Sequence, residues 1–579
     1  MPVLQFKGKT AVENYHHTVP HHILEFDPGQ SVLAKGEMPG LDGNAIIEGD
    51  NLLALKALLP THAGKVKCVY IDPPYNTGNE AWVYSDNLTQ PQFKEWIGQT
   101  VGKESEDATR HDKWCCMMYP RLELLKELLR EDGVIFASIG ENEIAHLRML
   151  MDEIFLADTP LATFVWKRRS PSGMREEPVS VDHEYVLMYA KNVSEVRLEG
   201  LVADESKYPF EDDGGKYAST DLTIGMTSED RPNQFYSIFN PRTGVEYPAN
   251  PDRVWRFEPD KMKEVIAQKL VIWPDDVGGE MTRPRFKTYF DPDDPKIKPV
   301  STWIETASRK KAEVLAEAED FELEVLTTGM NQEGGRILQR IFGKKVFEYP
   351  KPPSLIKALI RVATGKDDLI LDSFAGSGTT GHAVLELNRE DSGCRRFMLL
   401  QLRHDTKEQE HDGFNVCQEV TAERIRRVIA GYKFSKGKGP KQKPESVPPL
   451  GGTFTYARLG PKLLGEYRDM GETLPAYDEL AKYIFYTETS SDFDRTQLNE
   501  KSGKIGDHKG TSYYLLYSPA GNDGRSLDSV WLKSIDKTEN NHHLVVYCDK
   551  LWVHREELAK YEVATGRKVR PMLIPFNLK

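Results

Sequence analysis

Residues 66–79 read VKCVYIDPPYNTGN, in which two prolines directly follow an apolar run that predicts a β-strand. Proline cannot donate to a sheet ladder, so this strand must end at Ile71 or Asp72. A residue before proline is also disfavoured in the α region, which keeps Asp72 and Pro73 extended. Their carbonyl groups and the Asp72 carboxylate thereby become fixed hydrogen-bond acceptors at the carboxyl end of a strand. Such an arrangement suits the binding of a ligand better than the mere ending of a strand.

The sequence around this motif alternates apolar runs typical of strands with segments typical of helices. Predicted strands are VKCVYI (66–71), DGVIFASI (132–139), HEYVLMYA (183–190), LILD (369–372) and RRFMLLQL (395–402), and helical segments lie between them. This alternation predicts an α/β fold with a Rossmann-like sheet and crossover helices. It is interrupted between about residues 200 and 345, where Pro, Asp, Gly and aromatic residues are abundant and residues 308–322 form a single predicted helix.

This interruption and a change of composition near the carboxyl end divide the chain into five predicted segments. Residues 1–200 and 346–432 form two halves of the α/β core, 201–345 an inserted domain, 433–452 a linker and 453–579 a small α+β domain. The linker is rich in Lys, Pro and Gly, a composition typical of flexible tethers. The tail is therefore expected to be separable, so that a chain ending near Ala430 stays folded.

Composition excludes several classes of protein. The chain has 579 residues, of which 39% are hydrophobic and 28% charged, as in ordinary soluble domains. Its six cysteines show no C-x-x-C spacing and its fifteen histidines no metal spacing, so neither a disulfide framework nor a metal site is expected. No signal core or membrane span is recognisable, which predicts a cytoplasmic protein. The net charge of −13 argues against non-specific polyanion binding but is compatible with a local basic cleft.

A second motif, SFAGSGTT (373–380), lies between the predicted strand LILD and a helix. Glycines allow a sharp turn and close approach of the backbone to a ligand, and the following helix offers free N–H groups. Residues 376–381 literally satisfy the dinucleotide pattern G-x-G-x-x-G, which alone is a weak signal. An NAD site would also require an acidic residue at the end of the next strand. That strand ends in Gln401 and Leu402 instead, which weakens the interpretation as an NAD oxidoreductase.

Taken together, DPPYNTGN followed by DSFAGSGTT resembles the circularly permuted β class of DNA amino-methyltransferases. In that class the catalytic motif precedes a target-recognition domain, which precedes the cofactor motif. Four further blocks resemble the family in order: GDNLLAL (49–55), DGVIFASIGENE (132–143), DHEYVLMYAKN (182–192) and FEYPKPPSLI (347–356). Over roughly residues 40–430 the chain most resembles the modification subunit of type III restriction–modification systems.

The resemblance implies transfer of a methyl group from S-adenosyl-L-methionine to the N6 amine of adenine in double-stranded DNA. The implied catalytic residues are Asp72, Pro73, Pro74 and Tyr75. The implied cofactor-binding residues are Asp50, Asn51, Lys351, Asp372, Phe374, Gly376, Ser377, Gly378, Thr379, Thr380 and Gln401. Two acceptors on the amine hydrogens, the Asp72 carboxylate and the Pro73 carbonyl, would turn its lone pair toward the methyl group. Tyr75 would stack on the flipped base.

Some of these assignments have plain structural alternatives. Asp50 and Asn51 also fit a helix cap, and Lys351 also fits a surface lysine, although FEYPKP resembles the block that closes over the methionine end of the cofactor. Basic residues expected to contact DNA are Lys167, Arg168, Arg169, Arg283 and Arg285. For the first three a solvated loop is the alternative, but three adjacent cations after a strand favour phosphate contact.

The family also implies partners: a homodimer in which the tail participates, and a separate restriction subunit with helicase and nuclease activity. The alternative is an orphan methyltransferase that acts on gene expression at the bacterial nucleoid. Three other functions remain open. They are a cytosine-N4 methyltransferase, a DNA-binding regulator without catalysis, and an NAD oxidoreductase. The motif DPPY rather than SPPY disfavours the first, and an NAD site would leave DPPY unexplained.

Overall fold

The structure is a computed structural model that describes residues 3–77, 110–156, 159–170, 179–198, 208–277, 281–291, 300–306, 326–436, 443–463, 475–519, 525–535 and 541–574. The predicted helix at 308–322 lies outside these residues. The chain divides into two compact units, of which the larger combines Met1–Arg197 with Thr328–Lys579 and the smaller is Leu198–Thr327.

The amino-terminal part of the larger unit contains strands β1 (His22–Phe26), β2 (Ala45–Glu48), β3 (Val66–Ile71), β4 (Leu129–Ile139), β5 (Pro160–Lys167) and β6 (His183–Ala190), with helices α1 (Lys9–Val12), α2 (Tyr15–Thr18), α3 (Asn51–His62), α4 (Arg110–Leu128) and α5 (Ile144–Phe155). The smaller unit contains β7 (Phe210–Asp212), β8 (Gly215–Asp221), β9 (Ile238–Phe239), β10 (Glu246–Tyr247), β11 (Val271–Ile272), β12 (Arg285–Tyr289) and β13 (Trp303–Thr306), with a 3₁₀ turn (Pro232–Gln234) and helices α6 (Pro259–Ala267) and α7 (Pro274–Val277).

The remaining strands are β14 (Thr327–Thr328), β15 (Leu369–Asp372), β16 (Arg396–Gln401), β17 (Tyr432–Lys436), β18 (Lys443–Val447), β19 (Thr455–Lys462), β20 (Lys504–His508), β21 (Thr511–Leu516), β22 (Ser526–Leu527), β23 (His543–Cys548), β24 (Lys550–Leu551) and β25 (Lys568–Leu573). The remaining helices are α8 (Asn331–Phe342), α9 (Pro353–Ala363), α10 (Thr379–Asp391), α11 (Lys407–His411), a π-helical turn (Cys417–Ala422), α12 (Glu423–Ala430), α13 (Tyr477–Thr489), a 3₁₀ turn (Arg495–Gln497), α14 (Ser529–Ile535) and α15 (Arg555–Thr565).

A central sheet with the strand order β1-β19-β2-β16-β15-β3-β4-β6-β5 forms the core of the larger unit. The strands from β19 to β4 run parallel, whereas β1, at one side, pairs antiparallel with β19, and β6, at the other, pairs antiparallel with β4. Strands β2, β3 and β15 are buried along their whole length, as expected for parallel strands covered on both faces. The predicted α/β, Rossmann-like fold is confirmed.

The strands that carry the two sequence motifs, β3 and β15, are parallel neighbours. Cys68 lies opposite Ile370 and Val69 opposite Leu371. From β3 the chain continues to β4 on one side, and from β15 it continues to β16 on the other side. Strand order therefore reverses between β3 and β15, and open α/β sheets bind ligands beyond the carboxyl ends of the strands at such a point.

The observed units differ from the predicted segments at both ends of the insertion and in the tail. The smaller unit ends at Thr327 rather than at residue 345, and α8 buries Leu338 and Ile341 in the larger unit. The predicted linker contains the antiparallel hairpin β17–β18. Strand β19, predicted to belong to a separate tail domain, instead lies between β1 and β2 in the central sheet. This placement of β19 argues against the expectation that a chain ending near Ala430 stays folded, because such a chain lacks a strand of the central sheet.

The rest of the tail forms a second, four-stranded sheet in the order β20-β21-β23-β25 with its own buried cluster. In the smaller unit the sheet order is β11-β12-β8-β7, and its core includes Leu222, Trp255 and Met262. Within the described residues, no helix combines the length and the apolar character that crossing a bilayer requires.

Candidate active site

The DPPY residues leave the sheet at the carboxyl end of β3 and are fixed by contacts from two other elements. The indole Nε1 of Trp114, in α4, donates to the carbonyl oxygen of Pro74 at 2.7 Å. The ring of Tyr75 lies against Gly140, where a Cβ atom would approach Tyr75 Cδ2 to 2.9 Å. Glycine at this position therefore makes room for the tyrosine ring.

Four ionisable side chains meet beside this loop. The ammonium Nζ of Lys351 lies 2.8 Å from Asp72 Oδ1, 2.8 Å from the Tyr75 hydroxyl and 3.3 Å from Glu184 Oε2. The Tyr75 hydroxyl donates to Glu184 Oε2 at 3.0 Å. Burial raises the pKa of Asp72, and Lys351 opposes that shift. Burial lowers the pKa of Lys351, but Asp72 and Glu184 outweigh it and hold that pKa above its ordinary value.

The glycine-rich loop follows β15 and turns through two left-handed residues, Gly376 (φ +51°) and Gly378 (φ +76°). A Cβ atom would lie 3.3 Å from Phe347 Cζ at the first position and 3.1 Å from the Thr421 carbonyl oxygen at the second. Both positions therefore favour glycine, because a left-handed backbone strains other residues and little space is left for a Cβ atom. Thr421 also holds the loop, because its hydroxyl donates to the Gly376 carbonyl oxygen at 2.6 Å.

Polar side chains at the ends of neighbouring strands support the same loop. Gln401, at the end of β16, accepts the Gly376 backbone N–H through Oε1 at 2.6 Å. Asp372 accepts the backbone N–H of Phe374 at 3.0 Å and the hydroxyl of Thr380. Burial raises the pKa of Asp372 to about 7, despite those two hydrogen bonds.

Asp50 and Asn51, for which a helix cap was the alternative to cofactor binding, make different contacts. Asp50 caps α3 by accepting the backbone N–H of Leu52 at 2.8 Å. Asn51 is completely buried and donates its side-chain amide to the Ser373 carbonyl oxygen at 2.7 Å. Arg121 in turn donates to Asn51 Oδ1 at 2.6 Å, so one residue is a cap and its neighbour contacts the glycine-rich loop.

Arg424, which no sequence pattern indicated, is fully buried beneath the glycine-rich loop. Its Nη1 lies 3.0 Å from Ser377 Oγ and 2.8 Å from Thr379 Oγ1, and its Nη2 lies 3.2 Å from His382 Nδ1. Burial lowers the pKa of Arg424 to about 10. Its surrounding sequence, TAERIRRV, is typical of the solvated face of a helix and gives no signal of this role.

A second missed cluster fixes the end of the DPPYN loop. Asn76, whose φ is +55°, donates to the fully buried carboxylate of Glu143. His111 and His146 approach the same carboxylate with Nδ1 at 2.7 and 2.8 Å. One ligand atom from each of His111, Glu143 and His146 falls within 4.8 Å of the others, a proximity that the sequence spacing did not reveal. The same holds for His16, His17 and Glu127 among the described residues.

The basic residues expected to contact DNA are in different environments. Arg168 pairs with Glu184 at 3.3 Å and Arg169 with Asp182 at 3.4 Å, whereas the adjacent Lys167 is exposed. In the smaller unit, Arg283 is exposed and Arg285 donates to Ser219 Oγ at 2.8 Å.

Comparison with known proteins gives one family and several relatives. The model of the DNA methylase family matches residues 66–401. The chain is 33% identical over 406 residues to the type III restriction-modification enzyme StyLTI Mod subunit of Salmonella typhimurium, covering 67% of this chain and 57% of that protein. It is 32% identical over 429 residues to the EcoPI Mod subunit of Escherichia phage P1, covering 67% and 62%.

A shorter relative aligns over most of its length. The type II methyltransferase M.KpnI of Klebsiella pneumoniae is 31% identical over 405 residues, which are 68% of this chain and 90% of that protein. By contrast, the chain spans only 57% and 62% of the length of the two Mod subunits.

Proposed function

The chain belongs to the DNA methylase family, and from that premise we propose that it transfers a methyl group from S-adenosyl-L-methionine to the N6 amine of an adenine in double-stranded DNA. The observation that carries this proposal is the pairing of β3 with β15. It brings the DPPY loop and the glycine-rich loop to the same edge of the sheet. A base and a methyl donor can thus meet at one crevice.

The glycine-rich loop fits the proposed cofactor. At Gly376 and Gly378 the backbone is left-handed and a Cβ atom would pack tightly against neighbouring atoms. With glycine there, the main chain itself can lie against a ligand. Phe374, Ser377, Thr379 and Thr380 belong to this loop. Asp372 and Gln401 accept hydrogen bonds from its backbone, and Asn51 joins it from α3. The bound cofactor supplies an electrophilic methyl group on a sulfonium.

The DPPY loop acts on the target amine. The lone pair of an exocyclic amine is delocalised into its ring, which makes the nitrogen a poor nucleophile. The extended backbone at Asp72 and Pro73 fixes the Asp72 carboxylate and the Pro73 carbonyl as acceptors for the two N–H hydrogens of the amine. They favour a pyramidal nitrogen with its lone pair free, which is electrostatic preorganisation rather than strong base catalysis. Pro74 maintains the rigid backbone, and Tyr75 offers a ring on which a flipped base stacks.

The smaller unit, Leu198–Thr327, is proposed to read the target sequence. Its exposed Arg283 and the exposed Lys167 of the larger unit are available for phosphate contacts, and Arg168, Arg169 and Arg285 are secondary candidates because they already have protein partners. The similarity to two Mod subunits of type III restriction-modification enzymes supports cooperation with a separate restriction subunit. A homodimer is part of the same proposal. The alternative is an orphan methyltransferase.

The function can be tested with purified protein, S-adenosyl-L-methionine and unmethylated genomic DNA, followed by single-molecule sequencing that reads modified bases directly. We expect N6-methyladenine at one recurring sequence motif, and its formation should be about 10²–10³-fold slower with Asp72→Ala. N4-methylcytosine would instead establish the cytosine-N4 alternative. Specific DNA binding without any modified base would favour the regulator without catalysis.

A further inference from the structure

Lys351 belongs to the FEYPKP block, but its charged end lies on the DPPY side of the crevice. The backbone carbonyl oxygen of Lys351 borders the glycine-rich loop, where it accepts the Thr379 hydroxyl at 3.3 Å. The side chain extends away from that contact to Asp72 Oδ1 and the Tyr75 hydroxyl, both at 2.8 Å. Only 11% of the Lys351 side chain is exposed.

Glu184 completes this arrangement from β6. Its side chain is 5% exposed, and Oε2 lies 3.3 Å from Lys351 Nζ while Oε1 lies 3.3 Å from Arg168 Nη1. Glu184 also accepts the Tyr75 hydroxyl. It therefore both anchors Lys351 and places a second negative charge beside Asp72.

We propose that Lys351 is a positioning residue for the target amine rather than a ligand of the cofactor: its ammonium keeps Asp72 in the carboxylate form, and Glu184 opposes it by adding negative charge. This inference rests on the function proposed above. It follows from which groups face Asp72. None of the neighbouring groups Glu184, Tyr70, Tyr75 and Asp372 can carry a positive charge. Among the described residues, Lys351 is the cation that pairs with Asp72.

The state of Asp72 matters because a carboxylic acid is a poorer acceptor than a carboxylate. Burial raises the pKa of Asp72, Lys351 lowers it, and Glu184 raises it. Without a nearby cation, the buried acid would hold a proton closer to neutral pH. The amine would then lose a charged acceptor for one of its hydrogens.

The test is the pH dependence of methyl transfer under single-turnover conditions with saturating cofactor and DNA, between about pH 5.5 and 9.5. Lys351→Met should move the acidic limb of the profile to higher pH. For each pH unit of this displacement, the rate at a fixed low pH should fall about tenfold. The rate should recover toward the wild-type value at high pH. Calorimetry should show an affinity for S-adenosyl-L-methionine within about twofold of wild type.

Glu184→Gln provides the second variant, and its expected shift has the opposite sign. Removing this negative charge should move the acidic limb to lower pH, whereas a merely structural role would reduce the rate at every pH in both variants. Lys351→Arg keeps the cation and should retain the wild-type limb. Lys357→Met is the matched control, because Lys357 pairs with Glu386 and Glu390 on α10 and not with the DPPY loop.

Two results would overturn the inference. One is a Lys351→Met protein whose profile keeps its wild-type shape while its cofactor affinity falls tenfold or more. The other is an acidic limb that moves in the same direction in Lys351→Met and Glu184→Gln. If Lys351→Met does not fold, an acidic limb of Glu184→Gln that moves to higher pH or does not move would also overturn the inference. Wild-type protein without methyl transfer at any pH would refute the proposed function instead.

Discussion

The side-chain amide of Asn51 donates to the backbone carbonyl oxygen of Ser373 at 2.7 Å, across 322 positions of sequence. This bond joins the first turn of α3 to the start of the glycine-rich loop, and Arg121 holds the other side of the same amide. The two halves of the core therefore share a buried polar contact at the edge of the sheet where the site lies.

Asn51→Ala should weaken cofactor binding without unfolding the protein. The substitution removes a buried hydrogen bond, worth about 0.5–1.5 kcal/mol, from the loop that is proposed to hold S-adenosyl-L-methionine. We expect a rise in Kd of about two- to tenfold by calorimetry. Asn388→Ala is a suitable control, since Asn388 bonds to the Arg395 backbone at the far end of α10. Equal affinities of the two variants would contradict the prediction.

Gly376→Val should abolish cofactor binding in a folded protein. A branched side chain is strained at φ +51°, and its Cβ would lie 3.3 Å from Phe347. Calorimetry should detect no binding at concentrations that saturate the wild type. Gly510→Val offers a comparison, because Gly510 also has a positive φ but no atom lies within 4 Å of the place that its Cβ would occupy. This second variant should lose stability and keep its affinity. Unchanged affinity in Gly376→Val would mean that the loop holds something else.

Asp72→Ala should lower the rate of methyl transfer by about 10²–10³-fold. It removes an acceptor for the amine, while the glycine-rich loop keeps its own contacts with Gln401 and Thr421. Cofactor affinity, measured on the same preparation, should therefore remain close to wild type. A variant that retains more than about a tenth of the wild-type rate would refute the role assigned to Asp72.

Asp372→Asn should change how the free energy of unfolding depends on pH. Burial raises the pKa of Asp372 from 3.8 to about 7. An acid of this kind favours the folded state while protonated, so its contribution is complete below about pH 4 and is lost as pH rises through 7. The amide carries no charge, and we expect the variant to gain stability relative to wild type between pH 5 and pH 8.5 in urea titrations.

Asp405→Asn is the graded control for that measurement. Burial raises the pKa of Asp405 to about 6. The free energy of unfolding of Asp405→Asn should therefore also rise relative to wild type, but at lower pH and by a smaller amount than that of Asp372→Asn. A difference between wild type and Asp372→Asn that does not vary with pH would show that Asp372 stays ionised in the folded protein.

A chain that ends after Ala430 should not fold, whereas one that ends after Leu463 should retain the central sheet. The shorter chain lacks β19, which pairs with both β1 and β2 and buries Tyr456, whose hydroxyl donates to Glu48. Circular dichroism and thermal unfolding of both chains would check this. A cooperative transition in the shorter chain would contradict the assigned importance of β19.

Several residues of the candidate site gave no signal in the sequence. Glu184 lies in an apolar strand pattern, and Arg424 lies in a segment typical of a solvated helix face, yet both are buried against the two loops. Lys351 was expected on the cofactor side, but its ammonium lies beside Asp72. In each case the position of a charged group depends on elements that are distant in sequence, so local patterns carry no information about its partner.

The sequence by itself determined the properties that depend on neighbouring residues. Proline geometry ends β3 and fixes the acceptors of DPPY, glycine permits the positive φ angles of the second loop, and the alternation of apolar runs and helices specifies a mostly parallel sheet. Only the tertiary structure decided that β3 and β15 are neighbours and that β19 completes the sheet between β1 and β2. It also decided that Lys351 and Glu184 meet beside Asp72. Strand order and charge pairing arise from the burial of apolar faces and of ionised groups across hundreds of residues, which no local pattern encodes.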